Sequence, residues 1–282
     1  MTLSWRVRQR LSKLVRALVL GGALILFTLP LLWTVLASFN ILPNDATSPP
    51  GWDIHFTSLN YTEEIGVAEP AFVQELATST GLSLAAALLT LSIAFPTAYA
   101  LARSGSPRAH RWVQGCLVLA SLPVMAYIVP LSDLIGRMRL EDRFVGLMLA
   151  QTAVYSPLAV YVLYGYVKQL PSELEEAAHL DGAKLRQTLT RVVLPLTLSG
   201  TAATGIILFV LDWNQLLIPL VLTSGGLKVL PVAMSDFFTF ERELDWPTAA
   251  AALTVALIPL VVFIGLAHRA LEEFTLTFAQ NN

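Results

Sequence analysis

"PSELEEAAHLDGAKLRQTLTRVVLPL", residues 171 to 196, sets seven charged side chains in a chain that is 55% hydrophobic and only 13% charged. Burying Glu173, Glu175, Glu176, Asp181, Lys184, Arg186 and Arg191 in hydrocarbon would cost about 2.5 to 3.5 kcal/mol each, about 20 kcal/mol together. No apolar neighbour repays that, so the stretch lies in water. It is nonetheless helical in character. Ser172 with Glu175 three residues on has the spacing of a capping box behind Pro171, and "ELEEAAHL" consists of good helix formers. Asp181-Gly182 ends the run, because glycine takes the left-handed conformation that closes a helix. "AKLRQTLTRVVL" then resumes with Leu185, Leu189, Val192 and Val193 on one stripe before Pro195. The pattern predicts a short helix, a turn and a second helix. On pattern alone this is also how an ordinary solvated loop helix reads.

The rest of the chain is apolar. Its mean hydropathy is +0.64 over 282 residues, and six segments are long enough to cross a hydrocarbon core of about 30 Å. They are Ala17 to Phe39, Thr78 to Ala102, Trp112 to Ile135, Phe144 to Val167, Leu196 to Leu222 and Thr248 to Leu271. The expected fold is therefore an all-α polytopic membrane protein with six transmembrane helices and the charged loop, 171–195, between the fourth and fifth. A cytoplasmic N-terminus covers 1–16, the membrane domain 17–271 with an external loop at 40–76, and a cytoplasmic tail 272–282. The first segment follows Arg6, Arg8, Arg10, Lys13 and Arg16 as a signal peptide would, but its apolar run is too long, so it reads as a retained helix. Pro30, Pro96, Pro123, Pro157, Pro219 and Pro259 fall inside these segments, where membrane bundles tolerate them.

Lysine and arginine set the orientation, since short positive loops stay cytoplasmic. With the N-terminus inside, 13 of the 18 basic residues are cytoplasmic and 5 are not. The loop 40–76 carries Asp45, Asp53, Glu63, Glu64, Glu69 and Glu75 without a single lysine or arginine. Only the short loop with Arg137, Arg139 and Arg143 points the other way, and Glu141 and Asp142 partly neutralise it.

Several functions lack their residues. Cys116 is the lone cysteine, and the four histidines have no metal-ligand spacing. There is no glycine-rich phosphate loop and no basic stripe with interleaved aromatics, so this chain should bind neither ATP nor nucleic acid.

The run Glu176-Ala177-Ala178, then Gly182, then Val192, Leu194 and Pro195, resembles the EAA loop of ABC importer permeases, with Val192 where isoleucine is usual. "FTSLNYTEEI", "YALARSGSPRAHR" and "WNQLLIPLVLT" are similar to segments of the carbohydrate-uptake type, like the smaller maltose-transporter permease. The resemblance covers most of the chain in order. It departs at "ATSTGLSL", where an Asn-Ser pair is common, and at the tail "EEFTLTFAQNN", which lacks the usual glycines. The resemblance implies a non-catalytic permease subunit in a prokaryotic inner membrane, importing a sugar, polyol or glycoside. Its implied partners are a second homologous permease, two copies of a cytoplasmic ATPase that bind the ATP and magnesium, an extracytoplasmic solute-binding protein, and membrane lipid. It further implies ATPase coupling through Glu176, Ala177, Ala178, Asp181, Gly182, Leu194 and Pro195.

A second polar cluster, Asp212, Trp213, Asn214 and Gln215, interrupts the fifth segment. Aromatic, amide and carboxylate groups suit a sugar pathway, but polar residues at that depth also serve as interhelical glue. Asp212 and Asn214 stand about 200° apart on a helix, so they cannot share a narrow face; the expectation is that Asn214 faces the path and Asp212 bonds a neighbouring helix. An ion-coupled secondary transporter is the competing class, and it would need more intramembrane carboxylates than Asp212. An intramembrane enzyme would need a central nucleophile and base, whereas His268 lies near the last helix end.

Overall fold

The computed structural model describes residues 5–41, 56–62, 70–236 and 246–280. These fall into two compact units, one from 1–73 with 236–257 and the other from 74–235 with 258–282. Among the described residues every regular element is helical.

In the first unit, α1 (Trp5–Ser38) runs through Pro30 without ending. Leu18, Phe27 and most other apolar side chains from Leu14 onward are exposed, which is how a helix bathed in hydrocarbon looks, and not how one packed in a soluble core looks. The chain then folds back on the helix end. Asn40 takes φ 56°, Phe39 stacks on Phe56 at 5.4 Å and meets Tyr61 at 5.1 Å, and Asn60, in the one-turn helix α2 (Leu59–Thr62), donates from Nδ2 to the Ser38 carbonyl at 2.8 Å. The helix's freed C-terminal carbonyl thereby gains a donor. Most of the external loop expected at 40–76, including Asp45, Asp53, Glu63, Glu64 and Glu69, lies outside the described residues.

In the second unit α3 (Pro70–Arg103, its first residues in the other unit) passes Pro96 and ends at Arg103. The sequence suggests one helix from Trp112 to Ile135. Instead α4 (Pro107–Ala120) stops, a single 3₁₀ turn covers Val124–Ala126, and α5 (Ile128–Arg137) follows. Pro123, with ψ 139°, makes the break: its ring bars the preceding residue from helical geometry and it brings no N–H. Helix α6 (Phe144–Lys168) is central, packed by α4, α5, α10 (Leu198–Trp213) and α11 (Leu217–Leu222). Where α10 crosses α6, Gly200 sits against the Tyr166 ring so closely that any Cβ would overlap it, the close approach that small residues permit between membrane helices. The remaining elements are α7 (Glu173–Leu180), α8 (Leu185–Thr188), a π-helical turn Leu189–Val193, α9 (Leu194–Leu196), α12 (Leu230–Asp236) and α13 (Trp246–Gln280). Four described helices are long and apolar enough to cross a membrane, or five if Leu185–Leu196 and Leu198–Trp213, bent by 81°, form one span. The protein is thus an all-α polytopic membrane protein. The tail expected from residue 272 continues α13 to Gln280.

A buried cluster of Leu82, Ile128, Ile135, Leu147, Ala150, Ile218, Leu222 and Val229 joins α3, α5, α6 and α11. Over it the Asp142 carboxylate accepts the backbone N–H groups of Gly226 and Leu227, each at 2.9 Å, while the Asp142 N–H donates to the Leu222 carbonyl at 3.0 Å. The Leu227 bond above all, with that of Gly226, holds this carboxyl below the usual aspartate range. A depressed pKa adds stability that is complete above the ordinary value of about 3.9 and is lost as pH falls through the folded value. Asp142→Asn is therefore expected to lower the thermal unfolding midpoint in lipid nanodiscs at neutral pH, with the gap to the wild type closing as pH drops below about 4. A gap independent of pH would assign the effect to neutral contacts.

Candidate functional site

Two places gather the residues singled out by sequence, both within the second unit. The first is the largely exposed stretch from α7 to α9. Three carboxylates, Glu173, Glu175 and Glu176, occupy the first turn of α7, where the helix dipole favours negative charge. The helix ends as the sequence suggests. Gly182 has φ 80°, its N–H donates to the His179 carbonyl at 3.0 Å, and the Ala183 N–H donates to the Ala178 carbonyl at 2.9 Å. This pair of bonds is a Schellman cap, which a residue with a Cβ closes less readily. Glu176, Ala177, Asp181 and Gly182 are exposed, Ala178, Leu194 and Pro195 are half-buried, and Leu180 at the tip is 90% exposed.

The capping box is not formed. Ser172 has helical geometry (φ −68°, ψ −23°) and makes no side-chain cap bond, the Glu175 N–H going to its carbonyl at 3.0 Å, and the Glu175 carboxylate, the other half of the box, is committed elsewhere. It is buried, 6% exposed, and accepts from Arg103 Nε at 2.8 Å, Arg103 Nη2 at 2.6 Å and the Tyr99 hydroxyl at 2.8 Å. Arg103 Nη2 also donates to the Leu170 carbonyl at 3.1 Å. Sequence reasoning passed over this trio for Glu176. Part of the signal is local: Tyr99 and Arg103, one helical turn apart at the end of a long apolar run, call for a partner to the guanidinium but do not name Glu175.

The second place is the break after α10. Asn214 leaves helical geometry with ψ 3° and its Nδ2 donates to the Val210 carbonyl at 2.8 Å. Gln215 Nε2 donates to the Tyr155 hydroxyl at 2.8 Å, that hydroxyl donates to the Leu211 carbonyl at 3.4 Å, and Gln215 Oε1 accepts the Leu217 N–H at 3.2 Å. A tyrosine from α6 thus ties both sides of the interruption. Trp213 is buried and stacks with Phe209 at 5.9 Å, which in turn stacks with Phe263 at 4.0 Å. Asp212 is 3% exposed and Gln215 8%, whereas Asn214 is exposed. Asp212 and Asn214 thus sit in different surroundings, one buried and one exposed. The bond anticipated from Asp212 to a neighbouring helix is not observed: among the described residues neither of its oxygens has a hydrogen-bond partner. No group of three or more metal-ligating side chains occurs among the described residues.

Residues 94–275 match the family model for the binding-protein-dependent transport system inner membrane component. The chain belongs to this family. It is 36% identical over 216 residues to the ABC transporter permease protein ORF1 of Streptomyces antibioticus, covering 76% of this chain and 94% of that one. It is 31% identical over 196 residues to the trehalose transport system permease protein SugB of Mycobacterium tuberculosis, covering 68% and 71%. Its fold is similar to a crystal structure of a bacterial ABC transporter involved in the import of alginate, with a TM-score of 0.73 at 18% identity over 95% of this chain and 99% of that one. The chain is accordingly a non-catalytic permease component of an ABC importer, whose ATPase activity resides in a separate subunit, and the ion-coupled alternative falls.

The Tyr155 tie makes a local prediction. Tyr155→Phe leaves a buried Gln215 amide without its acceptor and should destabilise the permease by about 1 to 3 kcal/mol, read as a lower thermal midpoint in nanodiscs. An unchanged midpoint would show that the break holds itself.

Proposed function

We propose that this permease imports a saccharide or related polyol delivered by an extracytoplasmic solute-binding protein, and that α7 is the handle by which two copies of a cytoplasmic ATPase drive it and a second homologous permease. Six spans, the third made of α4 and α5, place both termini and the 171–195 loop in the cytoplasm and the 40–76 loop outside. The observation that carries the handle is the exposure of α7. A short helix with Glu176 and Ala177 in water and the Leu180 side chain 90% uncovered has an unfinished surface, suited to a groove that accepts small side chains closely and a carboxylate by charge-assisted hydrogen bonds. Gly182 fixes where that surface ends. Asp181, Leu194 and Pro195 set the path back to the membrane.

Support for a saccharide cargo comes from the trehalose permease of M. tuberculosis, to which the chain is similar in sequence. Asn214 is the pathway residue in this reading, an exposed amide at a helix break, with Trp213, Asp212 and Gln215 forming the wall behind it. The arginine-bearing loop fits outside because its charge is offset locally, Arg137 pairing with Asp133 at 2.9 Å.

Single cysteines in a Cys116→Ser background test the topology: positions 44 and 141 should label from outside and position 106 from inside. Inside labelling at 141 would overturn the arrangement of the third and fourth spans. A cysteine at Ala177 should cross-link to the co-purified ATPase. Failure to do so, with normal assembly, would remove the handle. Asn214→Leu should reduce saccharide uptake at least tenfold with the complex intact, and normal uptake would take Asn214 off the pathway.

A further inference from the structure

The Glu175–Arg103–Tyr99 cluster, with Glu175 buried and both its donors half-buried, has no part in docking, since its carboxylate points away from the exposed face of α7, and it lies outside the α10 break. We infer that Glu175 is a positioning residue that locks α7 to the end of α3, so that a displacement imposed on α7 is delivered to α3 directly and not only through α8 and α9 into α10. This rests on the reading of α7 as the ATPase handle.

The geometry favours a lock over an incidental contact. Both Glu175 oxygens are used, one by two nitrogens of a single guanidinium and the other by a phenol, and all three donors come from one face of the last turn of α3. Arg103 also holds the Leu170 carbonyl, just beyond α6. One cation thus joins the ends of α3 and α6 to the first turn of α7, across 72 residues of sequence. Arg103 and Glu175 side chains are 21% and 8% exposed. A charge pair sheltered to that degree is little screened, and removing one partner strands the other out of water, so the pair separates only at a high cost. α7 packs more broadly on α8 and the π-helical turn than on α3, so its tie to α3 rests on this charged cluster. That turn, Leu189–Val193, and the 81° bend after it interrupt the other route from α7 into the membrane. A bent, irregular connection transmits a push less faithfully than a sheltered, three-donor ion pair. The route into α3 is the stiffer of the two.

The lock predicts that α7 and α3 keep their separation while the importer turns over. Spin labels on cysteines at Ser92 in α3 and Glu173 in α7, both exposed, in a Cys116→Ser background, report that separation by electron paramagnetic resonance in the intact complex. The distance is expected to be the same in the nucleotide-free and the ATP–vanadate-trapped states. With Glu175→Ala or Arg103→Ala it should shift and broaden on trapping, and the double variant should be no worse than either single one, because each removes the same link. Tyr99→Phe and Glu175→Gln, which keep most of the packing, should show the same change to a smaller degree and serve where the alanine variants do not assemble. A purely structural role would lower the yield of complex and leave the trapped distance unchanged in what assembles. That outcome, or a distance that changes on trapping in the unsubstituted pair, overturns the lock. Failure of the handle itself looks different: the label at position 173 would then show no change of mobility when the ATPase is trapped, and the cysteine at Ala177 would not cross-link to it.

Discussion

Hydrocarbon offers a polar group no partner, and nearly every feature of this permease follows from where its polar groups find one. Backbone groups are satisfied within helices. Side-chain hydroxyls in the spans are mostly satisfied the same way, by donating to the carbonyl one turn back: Thr28 to Leu24 at 2.8 Å, Thr97 to Ile93 at 2.7 Å, Thr204 to Gly200 at 2.7 Å, Thr254 to Ala250 at 2.8 Å. Such bonds hide a hydroxyl inside its own helix at small cost. Two interruptions come with a partner from elsewhere, Tyr155 at Gln215 and Asp142 at Gly226–Leu227. An interruption at membrane depth is tolerated only when protein or a water-filled cavity meets the freed groups.

The same constraint explains what could be read from sequence. Apolar runs bounded by charge announce spans, and a cluster of seven charges announces water, because the energies at stake are several kcal/mol per residue. Gly182 was legible for a local reason, since the left-handed turn depends on one residue type. What was not legible depends on pairing across the fold. Nothing local to Arg103 names Glu175, and nothing local to Gln215 names Tyr155. The capping-box spacing of Ser172 and Glu175 was a real local preference that a stronger distant partner overrode: a guanidinium and a phenol outbid one backbone N–H. The break at Pro123 lies between these cases. Proline in a membrane helix is compatible with continuation, as Pro30, Pro96, Pro157 and Pro259 all show, so its presence alone does not say where a helix stops.

Asp212 stands apart from the economy of the other polar groups. With Thr90, Thr152, Thr201 and the Gln151 carbonyl oxygen it belongs to a small set of buried side-chain atoms that have no hydrogen-bond partner among the described residues. Its neighbour two residues on, Asn214, is exposed and bonds its own helix. Polar residues placed one after another in a sequence therefore need not share one environment. Rotation of about 100° per residue sends each to a different environment.

That rule also orders the stretch proposed as the coupling handle. Glu175 and Glu176 are adjacent, chemically identical for most purposes, and equally suited to the first turn of a helix. Rotation puts one against α3, where a half-buried guanidinium claims it, and leaves the other exposed. On the proposed reading, the motif-bearing residue is free to meet a partner because its neighbour holds the helix in place. If the exposed carboxylate alone mattered, α7 would be anchored only by its flanking turns, and a force applied at its surface would be spent on bending the chain at Gly182 and at the irregular turn before α10. A pair of consecutive acidic residues with opposite burial is the simplest arrangement in which one short helix is both held by its own subunit and offered to another.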